Sequence, residues 1–209
     1  MRKVGLLLSG CGRYDGTEIH EAVLAMLALD RRSVEIECLA PSGARSELVD
    51  HASGLLVEGE SRSVLAESAR LARGRIVPLR EARASFLGAL VIPGGQGVVR
   101  ALMLGAAEVG RRREADVEVD ALVRAFLDQR KPIGTISLAG SLVATILGLP
   151  LEEDPFSVPP TEIRVNEARG IVWTPGYLTG DRLGEVSIGI DRMIEEVVRR
   201  STSGLTVLS

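Results

Sequence analysis

The stretch Lys131-Pro132-Ile133-Gly134-Thr135-Ile136-Ser137-Leu138-Ala139-Gly140 decides the fold. Ile133 to Ile136 is a short apolar run of strand length, and the residues after Ser137 read as a helix to about Leu147. A strand, one nucleophilic side chain and a helix start in succession make a nucleophile elbow. The sharp turn lifts the side chain above the sheet. It also leaves the N–H groups of Leu138 and Ala139 free at the helix start to stabilise an oxyanion. The same residues read equally as a plain serine N-cap, which Ser favours for helix stability alone. The segment by itself leaves both readings open.

Outward from the elbow, strands alternate with helices. Val4 to Leu8 and Leu87 to Ile92 are apolar runs closed by small residues, as in strands buried on both faces. Val34 to Leu39 and Ile76 to Leu79 read as two more strands. Apolar residues at helical spacing mark Glu18 to Arg31, and further helices are expected near Ser63 to Arg73, Glu118 to Gln129 and Asp181 to Arg200. Glu162 to Val165 and Gly170 to Thr174 suggest a hairpin or two short strands, and residues 150–161 are the least regular segment. The pattern predicts a single α/β domain over residues 1–209, doubly wound, with a mostly parallel sheet and helices on both faces.

Composition fits one such domain. The 209 residues are 45% apolar and 25% charged, with only 3% aromatic, so Leu, Val, Ile and Ala must build the core. A net charge of −3 gives no basic footprint for nucleic acid, and the one basic cluster, Arg111-Arg112-Arg113, runs straight into Glu114 and Asp116. Cys11 and Cys38 have no metal-ligand or disulfide spacing and are expected to be reduced thiols, with no metal and no organic cofactor. Val4 to Leu8 is shorter than the roughly 7–15 apolar residues of a signal segment, and no run nears the roughly 20 of a membrane span. A cytoplasmic protein with no membrane partner is expected.

In open parallel α/β sheets, ligands bind at the carboxyl ends of the strands, beside the switch in strand order. That selects Ser9 to Glu18, Pro93 to Val98, Ser137 to Ser141 and Thr174 to Thr179. Neither Gly10-Cys11-Gly12 nor Gly95-Gln96-Gly97 completes a dinucleotide fingerprint, since Asp15 and Arg100 stand at the third glycine position.

Three motifs carry a family resemblance. Val4-Gly5-Leu6-Leu7-Leu8-Ser9-Gly10-Cys11-Gly12 and Tyr14-Asp15-Gly16-Thr17-Glu18-Ile19-His20-Glu21-Ala22-Val23 are long and specific, and Pro93-Gly94-Gly95 supports them. With Thr174-Pro175-Gly176-Tyr177 and Gly189-Ile190-Asp191, they resemble the ElbB (enhancing lycopene biosynthesis) family. That family belongs to the ThiJ/PfpI, class I glutamine amidotransferase-like superfamily. The resemblance implies the flavodoxin-like amidotransferase fold, a homodimer, and glyoxalase-like lyase or hydrolase chemistry on a small carbonyl metabolite. It implies that Glu18 is the carboxylate facing the elbow, acting as acid or base, and that Gly94 and Gly95 supply backbone N–H groups to an oxyanion beside that of Leu138 at the helix start. Cys11, Tyr14, His20 and Tyr177 are the other candidate substrate-binding residues.

Two departures bear on that chemistry. The superfamily keeps a reactive cysteine where this chain has Ser137. A thiol at a helix N-terminus can ionise near neutral pH, whereas a serine hydroxyl must give its proton to a base as it attacks. Between Leu149 and Thr161 the chain also lacks what looks like a strand-and-helix unit of the relatives, one that forms a pocket wall and can carry a histidine. The competing expectation is therefore a non-catalytic binding homodimer that has lost its nucleophile. Glu18 has a bland role too, because Asp15 to Glu18 has the spacing of a capping box. If the shared-site reading holds, Ser137 has strained backbone angles and lies within hydrogen-bond reach of Glu18. Since serine cannot enter the sulfenic–sulfinic series, mild peroxide should oxidise Cys11 or the methionines and leave position 137 untouched. A stable adduct mapped to Ser137 by mass spectrometry would contradict this.

Overall fold

The computed structural model describes residues 3–43, 45–104, 114–149 and 155–203. The fully buried strands of the sequence come first in importance. β1 (Lys3–Leu7), β6 (Leu87–Ile92) and β9 (Ile133–Ile136) form the centre of a seven-stranded sheet. β2 (Ile36–Ala40) and β5 (Ile76–Pro78) extend it on one side, β11 (Ile171–Thr174) and β10 (Arg164–Asn166) on the other. The order is β10-β11-β9-β6-β1-β2-β5, parallel throughout except for β10 against β11.

Alternate residues of each central strand enter opposite cores. Val4, Leu6, Val91, Ile136 and Val172 pack with α1 (Ile19–Arg31) and α6 (Leu183–Ser203). Leu7, Leu90, Ile92 and Ile133 pack on the other face with α3 (Gly97–Ala101), α4 (Val117–Asp128) and α5 (Ala139–Leu147). α2 (Val64–Leu71), capped by Ser63 as its sequence suggests, lies beside α1. This is the doubly wound arrangement expected, and the strand order reverses between β1 and β6.

Two hairpins were not legible in the sequence. β3 (Arg45–Asp50) and β4 (Leu55–Ser63) pair off the main sheet, and β7 (Met103–Leu104) pairs with β8 (Glu114–Ala115). β4 is solvent-exposed along most of its length, so no inside–outside alternation marks it. Arg111 to Arg113 lies outside the described residues. So do residues 150–154 of the irregular segment, whose described part holds one 3-10 turn, Pro155–Ser157.

The Gly189-Ile190-Asp191 motif acquires a physical meaning. Ile190 is fully buried, and Asp191 takes a two-pronged ion pair from Arg32, with bonds of 2.7 and 3.0 Å that tie α6 to the end of α1. A side chain on Gly189 would run into the carbonyl oxygen of Pro160. Gly184, on the same helix, has open space around it. Gly189→Ala should therefore lower stability by about 1–3 kcal/mol, as overpacking does. Gly184→Ala should leave it unchanged or raise it by up to about 1 kcal/mol through helix propensity. Thermal melts that showed the two variants shifting together would refute the close-approach account.

Candidate active site at the strand-to-helix elbow

Ser137 leaves β9 with φ of 54°, in the left-handed region. Its N–H is held by the Thr174 carbonyl at 2.9 Å, and its own carbonyl accepts from the Trp173 indole at 3.0 Å. The other non-glycine residues with positive φ among those described, Ser33, Arg73 and Arg130, sit where helices end. Ser137 alone of these precedes a helix, and a serine held there costs about 1–2 kcal/mol. The elbow geometry is present. The N–H groups of Leu138, Ala139 and Gly95 make no hydrogen bond among the described residues.

The carboxyl group facing the elbow belongs to Glu21. Its side chain is completely buried and accepts N–H bonds from Gly94 at 2.8 Å and Tyr177 at 3.0 Å. Glu21 Oε2 and Ser137 Cβ each lie 2.7 Å from the point where a side chain on Gly94 would begin, so the two are neighbours across that glycine. Any residue larger than glycine at 94 would push them apart. Burial drives the Glu21 pKa up to about 8, against the opposing pull of the two N–H bonds and with a small further push from the Glu18 charge.

Glu18 stands one turn earlier as the N-cap of α1, its carboxylate accepting the Glu21 N–H at 2.7 Å. Its own N–H donates to the Gly94 carbonyl at 2.9 Å, and it makes no hydrogen bond to Ser137 among the described residues. The expected capping box is replaced by this single cap, because the helix begins at Ile19 and leaves Asp15 outside it. Asp15 instead receives the Val49 N–H at 2.9 Å. His20 faces the same corner. Its Nδ1 lies 3.1 Å from the Tyr177 hydroxyl and 4.0 Å from Glu18, while burial, with the Glu18 and Glu21 charges, raises the Tyr177 pKa.

The structure thus gathers Glu18, His20, Gly94, Ser137 and Tyr177 around Glu21, with Gly95 and Leu138 adjoining in the chain, and places Cys11 and Tyr14 apart from them. Tyr14 packs against His51 with the rings tilted and their centroids 5.1 Å apart, and His51 accepts the Tyr14 N–H. Cys11 lines a narrow crevice with Asp15, Ser46 and Glu67, and its thiol is pushed up by burial and by the Glu67 charge, the reverse of activation. Gly94 needs a correction of role: its N–H is already given to Glu21, leaving Gly95 and Leu138 for an oxyanion. Glu21 was missed although a signal existed. It shares the inward stripe of α1 with Ala22, Ala25 and Leu29, and a carboxyl group on a buried stripe is itself an anomaly. Among the described residues no group of His, Cys, Asp and Glu could hold a metal ion, and no helix is long and apolar enough to cross a membrane.

Comparison with known proteins decides the kinship. The human "glutamine amidotransferase-like class 1 domain-containing protein 3, mitochondrial" is 34% identical over 94% of this chain and 82% of its own. The chain belongs to that amidotransferase-like family. The crystal structure of an "isoprenoid biosynthesis protein with amidotransferase-like domain" from Ehrlichia chaffeensis is 31% identical, with a TM-score of 0.82 over 94% of this chain and 99% of that one. A ThiJ/PfpI domain protein from Brachyspira murdochii, 11% identical over 94% and 95% of the two chains, shares the fold at a TM-score of 0.54. No family model matches. The expectation of a cytoplasmic location is corrected by these comparisons, because the human relative is mitochondrial by name.

The buried carboxyl has a pH signature. In the unfolded chain Glu21 ionises near its ordinary 4.5, whereas in the fold it holds its proton to about 8. Its proton-linked stability is therefore full below about 4.5 and is lost as pH rises to about 8, with a slope of at most about 1.4 kcal/mol per pH unit. Denaturant melts between pH 4.5 and 9 should show this decline, and Glu21→Gln should flatten it. An unchanged slope in Glu21→Gln would place the linked proton elsewhere.

Proposed function

We propose that the chain is an enzyme acting on a small carbonyl compound held over Ser137, in a lyase- or hydrolase-type reaction of the glyoxalase kind. Kinship within the superfamily to the ElbB group is part of this reading. The observation that supports it most is the Glu21 carboxyl, buried, held by Gly94 and Tyr177, and set beside a strained Ser137. With a pKa of about 8, Glu21 is mostly protonated at pH 7 and suits a general acid that returns as base, as proton transfer between adjacent atoms requires. Gly95 and Leu138 N–H groups would hold the oxygen on which charge develops. Glu18, through its bond to the Glu21 N–H, would fix where α1 delivers that carboxyl, and His20 with Tyr177 would line the approach. Ser137 would orient the substrate, since its hydroxyl is not ionised near neutral pH.

A second reading has one observation in its favour. Both Glu21 oxygens already accept backbone bonds, and Ser137 Oγ makes none among the described residues. A carboxyl used as a strut and a serine used as a turn would fit a binding homodimer without catalysis.

Steady-state assays with glyoxal and methylglyoxal separate the two. Ser137→Cys should gain turnover over wild type, because the new thiol inherits the helix N-terminus. Glu21→Gln in that background should lower it by about a hundredfold or more. Melting curves of both variants would confirm that they fold. Equal rates for wild type and Ser137→Cys would show that neither side chain is the nucleophile, and inert folded variants would leave the binding protein as the surviving reading.

A further inference from the structure

At the end of the sheet opposite the elbow the structure has a second concavity, of about 760 Å³. Its lining joins the end of α4, the entry to β9, the turn between β10 and β11, and the end of α6. Ser137 leaves β9 at that strand's other end, so the two sites share no residue. Arg130, Arg169, Arg199 and Arg200 all line the cavity. In a chain of net charge −3 this is a local reversal of sign.

Arg199 and Arg200 are already engaged. Arg200 holds Glu167 through two bonds, of 2.7 and 2.8 Å, and both arginines bond Glu196. Arg130 and Arg169 are not engaged: neither side chain makes a hydrogen bond or ion pair among the described residues. They belong to adjoining segments, for the Gly170 carbonyl accepts the Ile133 N–H at 3.1 Å and Pro132 is what a side chain on Gly170 would meet. One acid without an ion pair, Asp128, lines the same cavity, which leaves the two arginines in excess over it. Two guanidinium groups on one cavity repel each other, and an anion shared between them turns that repulsion into attraction.

We infer that this cavity binds the phosphate group of a small phosphorylated compound, bridged between Arg130 and Arg169, with the organic body lying on Leu127 and Pro132. A phosphate monoester carries a charge of about −2 at neutral pH and three accepting oxygens, so it can engage two guanidinium forks at once. A carboxylate brings a single charge and one pair of oxygens. The volume lies within the roughly 300–1,000 Å³ of small-molecule sites, more than a bare ion fills. Asp128 and Glu167 on the lining oppose an extended polyanion such as nucleic acid, which would have to pass them.

The test is calorimetric titration at low ionic strength with phenyl phosphate and with inorganic phosphate. Wild type should bind phenyl phosphate saturably, and more tightly than inorganic phosphate. Arg130→Gly suits the left-handed backbone at that position, φ of 52°, and so removes the cation without strain. That variant and Arg169→Ala should each weaken phenyl phosphate about tenfold or more, and the double variant should abolish binding. Arg182→Ala removes an equal charge at the other end of α6 and should leave the affinity unchanged. Melting curves would confirm that every variant folds. The proposal is overturned by the absence of saturable heat, by undiminished affinity in Arg130→Gly or Arg169→Ala, or by an equal loss in Arg182→Ala. Inorganic phosphate binding as tightly as the ester would also overturn it, by reducing the cavity to a place for the free ion. Because the readout is binding at a distant cavity, the outcome does not depend on whether the Glu21 corner turns over a substrate.

Discussion

Everything at the working end of this sheet hangs on the bonds to the Glu21 carboxyl. One oxygen accepts from Gly94, after β6, and the other from Tyr177, after β11, while the side chain itself rises from α1. Three segments distant in sequence are thereby fixed to one buried group. Water cannot replace it there, and a buried acceptor lost from such a network leaves two backbone donors unsatisfied. The glycine at 94 is the steric condition for the arrangement, since only a residue without a side chain lets Glu21 and Ser137 approach across it.

Ser137 is held by complementary means. Its left-handed backbone angle is unfavourable for serine, and glycine would relieve it. The turn is over-determined instead by its surroundings: Thr174 holds its N–H, Trp173 holds its carbonyl, and Gly140 leaves room for the indole. Strain kept in place by three neighbours is the pattern of a site whose geometry is selected over its stability. Ser33, Arg73 and Arg130 share the sign of φ but not this environment, for they lie at helix ends where such angles are common.

How much of this the sequence disclosed follows from where each element is buried. Leu87–Ile92 and Ile133–Ile136 were legible to the residue, because a strand covered on both faces is an unbroken apolar run ending where burial ends. The β3–β4 hairpin was not, since a ribbon standing in solvent imposes no periodicity on its side chains. The elbow was legible because strand, serine and helix start are contiguous. Its carboxyl partner was assigned three residues early. Glu18 and Glu21 lie on one side of the same helix start, and only the register of the cap, with Ile19 as first helical residue, decides which of them turns inward. Nor could spacing show that Tyr14 and Cys11 would follow the first loop toward His51 and Glu67, because those contacts depend on the hairpin that the pattern concealed.

The uncharged side chain of Ser137 also bears on how the carboxyl keeps its proton. An anionic side chain at the elbow would help hold a neighbouring glutamic acid neutral. Here the largest contribution is burial, and among the described residues the charged neighbour that adds to it is Glu18. Serine contributes no charge at all. The neutral state of Glu21 is therefore a property of the fold rather than of residue 137, fixed once α1 packs against the sheet and the two loops close over its end. A nucleophile can be changed at the elbow without unsettling the acid beside it, because the energy that protonates Glu21 comes from its exclusion from water.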